Sequence, residues 1–481
     1  MRFLASGGPM ENITYLNAGA GGALAIAGSS ATIESQAFRN AVIDTAIGGA
    51  GELIKTGSGE AVLARANTYS GGTRIEEGRL SVSQNGTLGT GPVTVAGGTL
   101  LFYGSVARDF SALDIANTGG TVQITAPDVV IGSLSGAGNV DLGSRILTIG
   151  DLGQNDVISG AITGTAQGQL IKAGSGTLTL AGINTYGGPT QAHEGRLVID
   201  GSVAGHVNVN TTGILAGSGS IAGHVGIAAN GILEGRSGQT LTMGSLNLNS
   251  IGGADSIVNV ALGAPSSTAL FNVTGNLTLD GTLNVTDAGG FGDGVYRIFD
   301  YGGTLTDNGL DVGSIPSGAT GTVQTAIASQ VNLVVGGSVG PGPIPTIQFW
   351  NGVTTAPTGT VAGGSGIWTG GPVTNWTDAN GTRSDPWNGN FAVFQGAAGT
   401  VTVDAAGVSS TGMQFAVDGY RVEGGAITLS ASGTIRVGDG SGSGAGHTAT
   451  IASAIQGSGS LVKSDLGTLI LSGTNSYTGG T

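Results

Sequence analysis

The 481-residue sequence contains no cysteine and only 16 basic residues, three of them lysine. Without cysteine, the chain can form neither a disulfide scaffold nor a thiolate-based catalytic or metal site. The basic residues are scattered over the whole length and the net charge is −14, so no positive stripe exists to bind a phosphate backbone. We therefore expect no nucleic acid partner.

Charged residues and long apolar runs are also scarce. Charged side chains make up 10% of the chain, against about 25% in an average globular protein, which is not the composition of an ordinary enzyme. No apolar run is long enough to cross a membrane as a helix. The opening "MRFLAS" falls short of the roughly 7 to 15 apolar residues of a signal-peptide core, so we expect any export signal to lie outside this chain.

Glycine, by contrast, occupies 95 positions, and apolar residues make up 39% of the sequence. That apolar content is more than disordered segments carry. Apolar and polar residues alternate in "TLTLAG" from Thr177, "VNVN" from Val207 and "TVTVD" from Thr400, a pattern typical of half-buried strands. These features favour a β protein whose turns are made by glycine.

A long repeat occurs three times, and it contains every lysine of the chain. Its copies are "GELIKTGSGEAVLARANTYSGGT" from Gly51, "GQLIKAGSGTLTLAGINTYGGPT" from Gly168 and "GSLVKSDLGTLILSGTNSYTGGT" from Gly459. In each copy a lysine precedes a tyrosine by the same spacing: Lys55 and Tyr69, Lys172 and Tyr186, Lys463 and Tyr477. A catalytic lysine would differ from its copies, so we predict a structural role at a strand end.

A shorter repeat sets the length of the structural unit. "GSVAGHVNVNTTGILAGS" from Gly201 is followed by "GSIAGHVGIAANGILEGR" from Gly219. The superposition places His206 on His224, and it aligns Val207 with Val225, Ile214 with Ile232 and Leu215 with Leu233. Eighteen residues make about three strands with tight corners, which is one coil of a parallel β-helix. We predict an all-β, right-handed parallel β-helix (solenoid) of about 20 coils.

The long repeat resembles the passenger-associated transport repeat of autotransporter passenger domains. The first copy departs from the pattern at Glu60 and Ala61, and the third at Asp465 and Leu466. Further segments of such passengers are similar to "LAGSGSIAGHVGIAANGILEGRSGQTLTMGSLNLN" and, within 347–440, to "FWNG", "TNWTDANG" and "FAVFQG". The resemblance implies a bacterial β-helix, surface-exposed or secreted, that a C-terminal β-barrel carries across the outer membrane. No barrel pattern follows the third repeat, so we expect a piece of a longer protein or a truncated reading frame.

Three regions are expected along the chain. Residues 1–335 form a β-helix with repeats at 51–82 and 168–199, and residues 336–346 form a linker rich in proline and glycine. Residues 347–481 form a β-rich segment that leads into the third repeat and holds all four tryptophans: Trp350, Trp368, Trp376 and Trp387. The tryptophans are either a platform for sugar rings or large side chains that cap a bend between coils; we favour the cap.

Other patterns suggest chemistry weakly. His206 and His224 on adjacent coils could share a metal, but two ligands do not make a site, and an exposed histidine ladder is the simpler interpretation; His193 and His447 have no pairing signal. "GGSVG" at 336–340 fits a nucleophile elbow but precedes prolines instead of a helix. In "GGFGDGVY" from Gly289, Asp293 comes one residue too early for a calcium-binding nonapeptide repeat.

Three aspartates leave an enzymatic alternative open. Asp141, Asp151 and Asp156 could serve a β-helical polysaccharide lyase or hydrolase if they clustered on one face. The neighbouring repeats carry no acidic residue in register, and spacing alone cannot bring the three together.

We therefore predict a non-catalytic passenger that serves as a stalk, in adhesion or in autoaggregation. We expect it to be located at the bacterial cell surface, on the outer membrane, or to be secreted. Its partners would be molecules or glycans of host or neighbouring cells. No residue is assigned as catalytic, cofactor-binding or metal-binding, and no cofactor is expected. The alternative is a β-helical carbohydrate-active enzyme or a glycan-binding module.

Overall fold

The structure is a computed structural model that describes most of the chain. It covers residues 13–16, 22–37, 40–249, 254–316, 319–336, 347–439 and 442–481. The predicted linker at 336–346 lies outside the described residues except for Gly336, so its role as a domain boundary stays a prediction.

The fold is all-β, with 51% of the residues in strands, and it forms a parallel β-solenoid of about 20 turns. The predicted fold class is confirmed in these respects, and its right-handed sense stays a prediction. The described residues contain no α-helix and one 3₁₀ helix, Gly442–Gly446. None of them belongs to a helix that could cross a membrane.

Contacts divide the chain into two compact units. The first comprises Met1–Glu234 and Leu241–Ser256, and the second comprises Gly235–Thr240 and Ile257–Thr481. The strands up to residue 256 are β1 Ile13–Leu16, β2 Ala23–Ile26, β3 Ser30–Glu34, β4 Asn40–Ile43, β5 Ala46–Gly49, β6 Glu52–Thr56, β7 Glu60–Leu63, β8 Thr73–Ile75, β9 Arg79–Val82, β10 Val93–Val95, β11 Thr99–Phe102, β12 Arg108–Asn117, β13 Thr121–Ile124, β14 Asp128–Ser135, β15 Asn139–Asp141, β16 Ile146–Ile149, β17 Asp156–Ile158, β18 Ile162–Thr163, β19 Gln169–Lys172, β20 Thr177–Leu180, β21 Ile183–Asn184, β22 Thr190–Ile199, β23 Ser202–Val203, β24 Val207–Ala216, β25 Ser220–Ile227, β26 Ile232–Arg236 and β27 Leu241–Leu248.

The strands from residue 257 onward follow the same short pattern. They are β28 Ile257–Leu262, β29 Phe271–Val273, β30 Leu277–Leu279, β31 Thr282–Asp287, β32 Gly294–Tyr301, β33 Leu305–Asp307, β34 Asp311–Val312, β35 Gly321–Gln324, β36 Gln330–Val335, β37 Ile347–Trp350, β38 Gly366–Trp368, β39 Trp376–Thr377, β40 Phe391–Phe394, β41 Thr400–Val403, β42 Val408–Phe415, β43 Arg421–Gly424, β44 Ile427–Val437, β45 Thr448–Ile451, β46 Ile455–Gln456, β47 Leu461–Ser464 and β48 Thr468–Leu471.

The 18-residue repeat is one coil of the solenoid. Val207 pairs with Val225, Ile214 with Ile232 and Leu215 with Leu233 in parallel register. These are the pairs that the sequence superposition predicts, so the coil length is confirmed.

The core consists of ladders of like apolar side chains on successive coils. Leu63, Val82, Phe102 and Ile124 are register partners on β7, β9, β11 and β13, and each is at most 1% exposed. Full burial of such a side chain contributes about 1.5–3 kcal/mol. Because each rung packs against the coils above and below, stability belongs to the stack and not to one coil.

In the second unit, three strands interrupt the parallel pairing. β36 pairs antiparallel with both β32 and β35. Val295 and Val334 of this group pack against Ile347, Phe349 and Val393 of the following strands. Parallel pairing resumes where β37 joins β40, so the antiparallel group is an internal part of one packed unit.

Candidate functional site

The repeat lysines are buried inside the coil corners. Lys55 is 0% exposed, and its Nζ donates to the carbonyl oxygens of Thr56 at 2.8 Å, Gly57 at 2.6 Å and Glu77 at 3.1 Å. An ammonium has three hydrogens to donate, so this carbonyl cage satisfies all of them. Burial lowers the pKa of Lys55 to about 8, and the Glu77 carboxylate opposes that shift.

Lys172 repeats the cage in the second copy. Its Nζ donates to the carbonyl oxygens of Ala173 at 2.6 Å, Gly174 at 2.6 Å and Glu194 at 3.1 Å. Two of these acceptors belong to the corner of its own coil, and the third belongs to the next coil. Lys463 donates to the carbonyls of Ser464 and Asp465 at 2.9 and 2.7 Å. Each lysine is the last or next-to-last residue of its strand, β6, β19 or β47, as predicted, and its contacts are structural.

The repeat asparagines also bind the neighbouring coils. Asn184 Oδ1 accepts from the Ile162 amide at 3.0 Å, and its Nδ2 donates to the Ser202 carbonyl at 2.9 Å. Asn67 makes the equivalent bonds to Ile47 N and Thr87 O. The asparagine therefore connects three successive coils.

Each of the first two repeat tyrosines bonds to a threonine of the same repeat copy. The Tyr69 hydroxyl lies 2.7 Å from Thr73 Oγ1, and the Tyr186 hydroxyl lies 2.6 Å from Thr190 Oγ1. Both tyrosines are 0% exposed. In the first two copies, the lysine, asparagine and tyrosine of the repeat are thus buried and bonded within the stack.

The four tryptophans form a buried cluster. Trp350, Trp368 and Trp376 are 0% exposed, and Trp387 is 6% exposed. Trp376 lies at the centre, with ring centroids 5.2 Å from Trp350, 5.3 Å from Trp368 and 4.3 Å from Trp387. The rings pack in tilted and edge-to-face pairs against one another and against Phe394, and because they are buried their faces are not open to sugar rings. All four belong to the hydrophobic core of this region, and their proposed role as a cap over a bend between coils stays a prediction.

His206 and His224 form a ladder between adjacent coils. The His224 amide donates to His206 Nδ1 at 2.9 Å, and His224 Nδ1 lies 3.0 Å from Ser245 Oγ. The ring centroids are 6.4 Å apart at an interplanar angle of 67°, and the Nδ1 atom of each ring lies against a protein group instead of a common ion. Among the described residues, no group of three or more His, Asp or Glu side chains could hold a metal.

This ladder predicts a loss of stability in mild acid. Burial, together with the neighbouring His206, lowers the pKa of His224. The unfolded chain therefore takes up a proton at higher pH than the folded chain, and stability that is complete above the unfolded pKa falls as pH drops towards the folded pKa. We expect the urea midpoint to fall between pH 7.5 and pH 5, and to fall less in His224→Gln.

His193→Gln is the matched control, since His193 is exposed and its ring lies 2.9 Å from the nearby Gln191 side chain. The bond that Thr212 donates to the His193 carbonyl does not depend on the side chain. An equal pH dependence in the parent and both variants would show that the ladder does not titrate with folding.

The three aspartates do not share an open face. Asp156 is 4% exposed and accepts from Ser133 Oγ at 2.7 Å, and burial raises its pKa. Asp141 accepts from Gln123 Nε2 and from the Gly143 amide, whereas Asp151 is exposed. Asp156 faces the core, so it is not available as the partner of an external acid or base.

Two other sequence patterns gain no support. Residues 337–340 of "GGSVG" lie outside the described residues. In "GGFGDGVY", the Asp287 carboxylate caps the turn by accepting from the Gly289 and Phe291 amides at 2.7 and 3.2 Å, and Asp293 is exposed beside it.

Comparison with known proteins identifies the long repeat. The model of the passenger-associated-transport-repeat family matches residues 53–82, 170–199 and 461–481. These ranges contain the three lysine positions described above. The lysine cages and the asparagine bonds between coils are therefore features of this family's repeat in the present chain.

Two curated proteins are similar over part of the chain. An adhesin autotransporter, BmaC, of Brucella suis biovar 1 (strain 1330) is 45% identical over 259 residues, 50% of this chain and 7% of the relative. An extracellular serine protease of Serratia marcescens is 49% identical over 53 residues, 11% of this chain and 5% of the relative. The chain thus spans less than a tenth of either relative's length.

Proposed function

We propose that this chain, an autotransporter passenger sequence with passenger-associated transport repeats, is a non-catalytic stalk and adhesive surface. Passenger homology implies a location at the cell surface or outside the cell. The outer membrane of a bacterium is the surface we propose, and the partners are molecules of host or neighbouring cells.

The main support for the proposal is that the polar residues of the repeat bond to the stack itself. Lys55, Asn67 and Tyr69 are buried and bonded within the stack, and their counterparts in the second copy are bonded in the same way. A solenoid built on such internal bonds leaves the outer side chains of its coils free to contact partners. The similarity to an adhesin over half of the chain supports an adhesive use of that face.

The test is to display the 481-residue chain on a non-adherent laboratory bacterium, fused to an unrelated translocating barrel. We expect displaying cells to settle faster or to attach to host-cell monolayers more than cells that carry the barrel alone. Equal settling and equal attachment would contradict the adhesive function.

A parallel assay addresses the enzymatic alternative. The purified chain is incubated with a panel of polysaccharides, and the release of reducing or unsaturated sugars is measured. We expect none. Release that disappears in Asp151→Ala, which changes an exposed aspartate, would replace the proposal with a carbohydrate-active enzyme.

A further inference from the structure

A groove of about 540 Å³ opens on the second unit. Its floor is the outer face of four neighbouring parallel strands, β40, β42, β44 and β47. Ala264 and Pro265, which follow β28, and Asp293 and Gly294, at the start of β32, also line it. The volume lies within the range of about 300–1,000 Å³ that is typical of small-molecule sites.

An aromatic ring forms part of the floor. Phe391, Gly412 and Thr434 are register partners on β40, β42 and β44. A β-carbon at Gly412 would lie 2.7 Å from Phe391 Cε2, so only glycine at this position lets the ring lie across the strand. Phe391 is half-buried, and it presents a rigid apolar surface to the groove.

Groups of both charge signs and several hydroxyls surround the ring. Arg436 is buried on β44, and its Nη1 donates to the Val295 carbonyl at 3.3 Å, which fixes the guanidinium beside the groove. Asp293 is exposed at the rim, and the hydroxyls of Thr411 and Thr434 lie along the floor.

This combination selects for a ligand with a flat apolar face and many hydroxyls. Asp293 and Arg436 carry opposite charges, so together they give the groove no net charge that would favour an ion of either sign. A sugar hydroxyl can donate to a carboxylate and accept from a guanidinium at the same time, while the C–H face of a pyranose packs on an aromatic ring.

We propose that the Phe391 groove binds a neutral oligosaccharide, with one pyranose ring on Phe391 and hydroxyls on Asp293 and Arg436. This site deepens the proposed adhesive function and rests on it. It lies apart from the buried tryptophans, which the sequence suggested as a sugar platform.

The test is binding of the purified 481-residue chain to a panel of immobilised oligosaccharides. The panel holds neutral fragments of mammalian glycans, neutral fragments of bacterial surface polysaccharides, and acidic members of both groups. We expect the chain to bind neutral oligosaccharides. Binding to the mammalian fragments would indicate a host ligand, and binding to the bacterial fragments would indicate a ligand on neighbouring bacteria. A hydrogen bond to a charged group corresponds to about tenfold or more in Kd, so Asp293→Ala should weaken Kd about tenfold or more. Phe391→Ala removes the apolar surface under the pyranose ring, and we expect it to weaken Kd as well.

Tyr103→Ala is the control, since Tyr103 is a half-buried aromatic residue in the first unit, and we expect it to bind like the parent. Asp293 is exposed, so Asp293→Ala keeps the test informative if Phe391→Ala folds poorly. The proposal is overturned if no neutral member binds, if both variants bind as tightly as the parent, or if only acidic sugars bind. Displayed cells that adhere equally well with Asp293→Ala would overturn the groove while leaving adhesion intact.

Discussion

Replacing Trp376 with alanine should lower the free energy of unfolding of the second unit by about 3–5 kcal/mol. Trp376 is 0% exposed and contacts three other tryptophan rings, so the change removes the centre of a cluster that cannot collapse around the gap. Urea unfolding followed by circular dichroism measures the loss.

Phenylalanine substitutions provide a matched control. In the described part of the chain, Trp376 Nε1 is buried and has no hydrogen-bond partner, whereas Trp350 Nε1 donates to the Gly364 carbonyl at 2.7 Å. Trp376→Phe removes an unpaired donor, while Trp350→Phe leaves an acceptor unpaired. We expect Trp376→Phe to cost less than Trp350→Phe by about 1–3 kcal/mol. The opposite order, or a Trp376→Ala loss below about 1 kcal/mol, would contradict the central role of Trp376.

The coil architecture could be predicted from the sequence because two adjacent coils are near copies. Their superposition gives the Val207–Val225 and Leu215–Leu233 register directly. The structural role of Lys55 and Lys172 was likewise predictable, since three copies shared one position. The three carbonyls around each ammonium were not, because backbone atoms of the next coil supply one of them.

The burial of Asp156 could have been predicted from the alternation of residues in its strand. Asp156 precedes Val157 and Ile158, and in a strand the first and third residues face the same side. Ile158 and Asp156 are both buried, and Val157 is exposed. The alternation therefore pointed Asp156 into the core, away from any substrate.

The groove could not be predicted from the sequence. Asp293 and Phe391 are far apart in the chain, and they line one groove only because the antiparallel group of β32, β35 and β36 packs beside the strands that follow β37. No local pattern encodes that packing. A weak signal exists in Gly412, a glycine inside a strand, which often marks a close approach by another group.

Replacing Lys172 with methionine should destabilise the surrounding coils by about 3 kcal/mol. Methionine keeps the aliphatic volume but removes the donor for three carbonyls, and each buried acceptor without a partner costs about 1–3 kcal/mol. Burial lowers the pKa of Lys172, which shows that burying its charge costs free energy. Methionine avoids that cost, so the summed cost of the three unpaired carbonyls is an upper bound on the destabilisation. The readout is hydrogen exchange of peptides within 168–199, since solenoids open locally.

Lys463→Met is the matched control for this cage. Lys463 occupies the same repeat position, but in the described structure its Nζ donates to two carbonyls instead of three, and its side chain is half-buried. We expect a smaller increase in exchange around 461–471 than Lys172→Met causes around 168–199. Equal effects would mean that the bond to the next coil contributes little. The lysine would then stabilise only the corner of its own coil, and stacking of apolar side chains would account for the cohesion between coils.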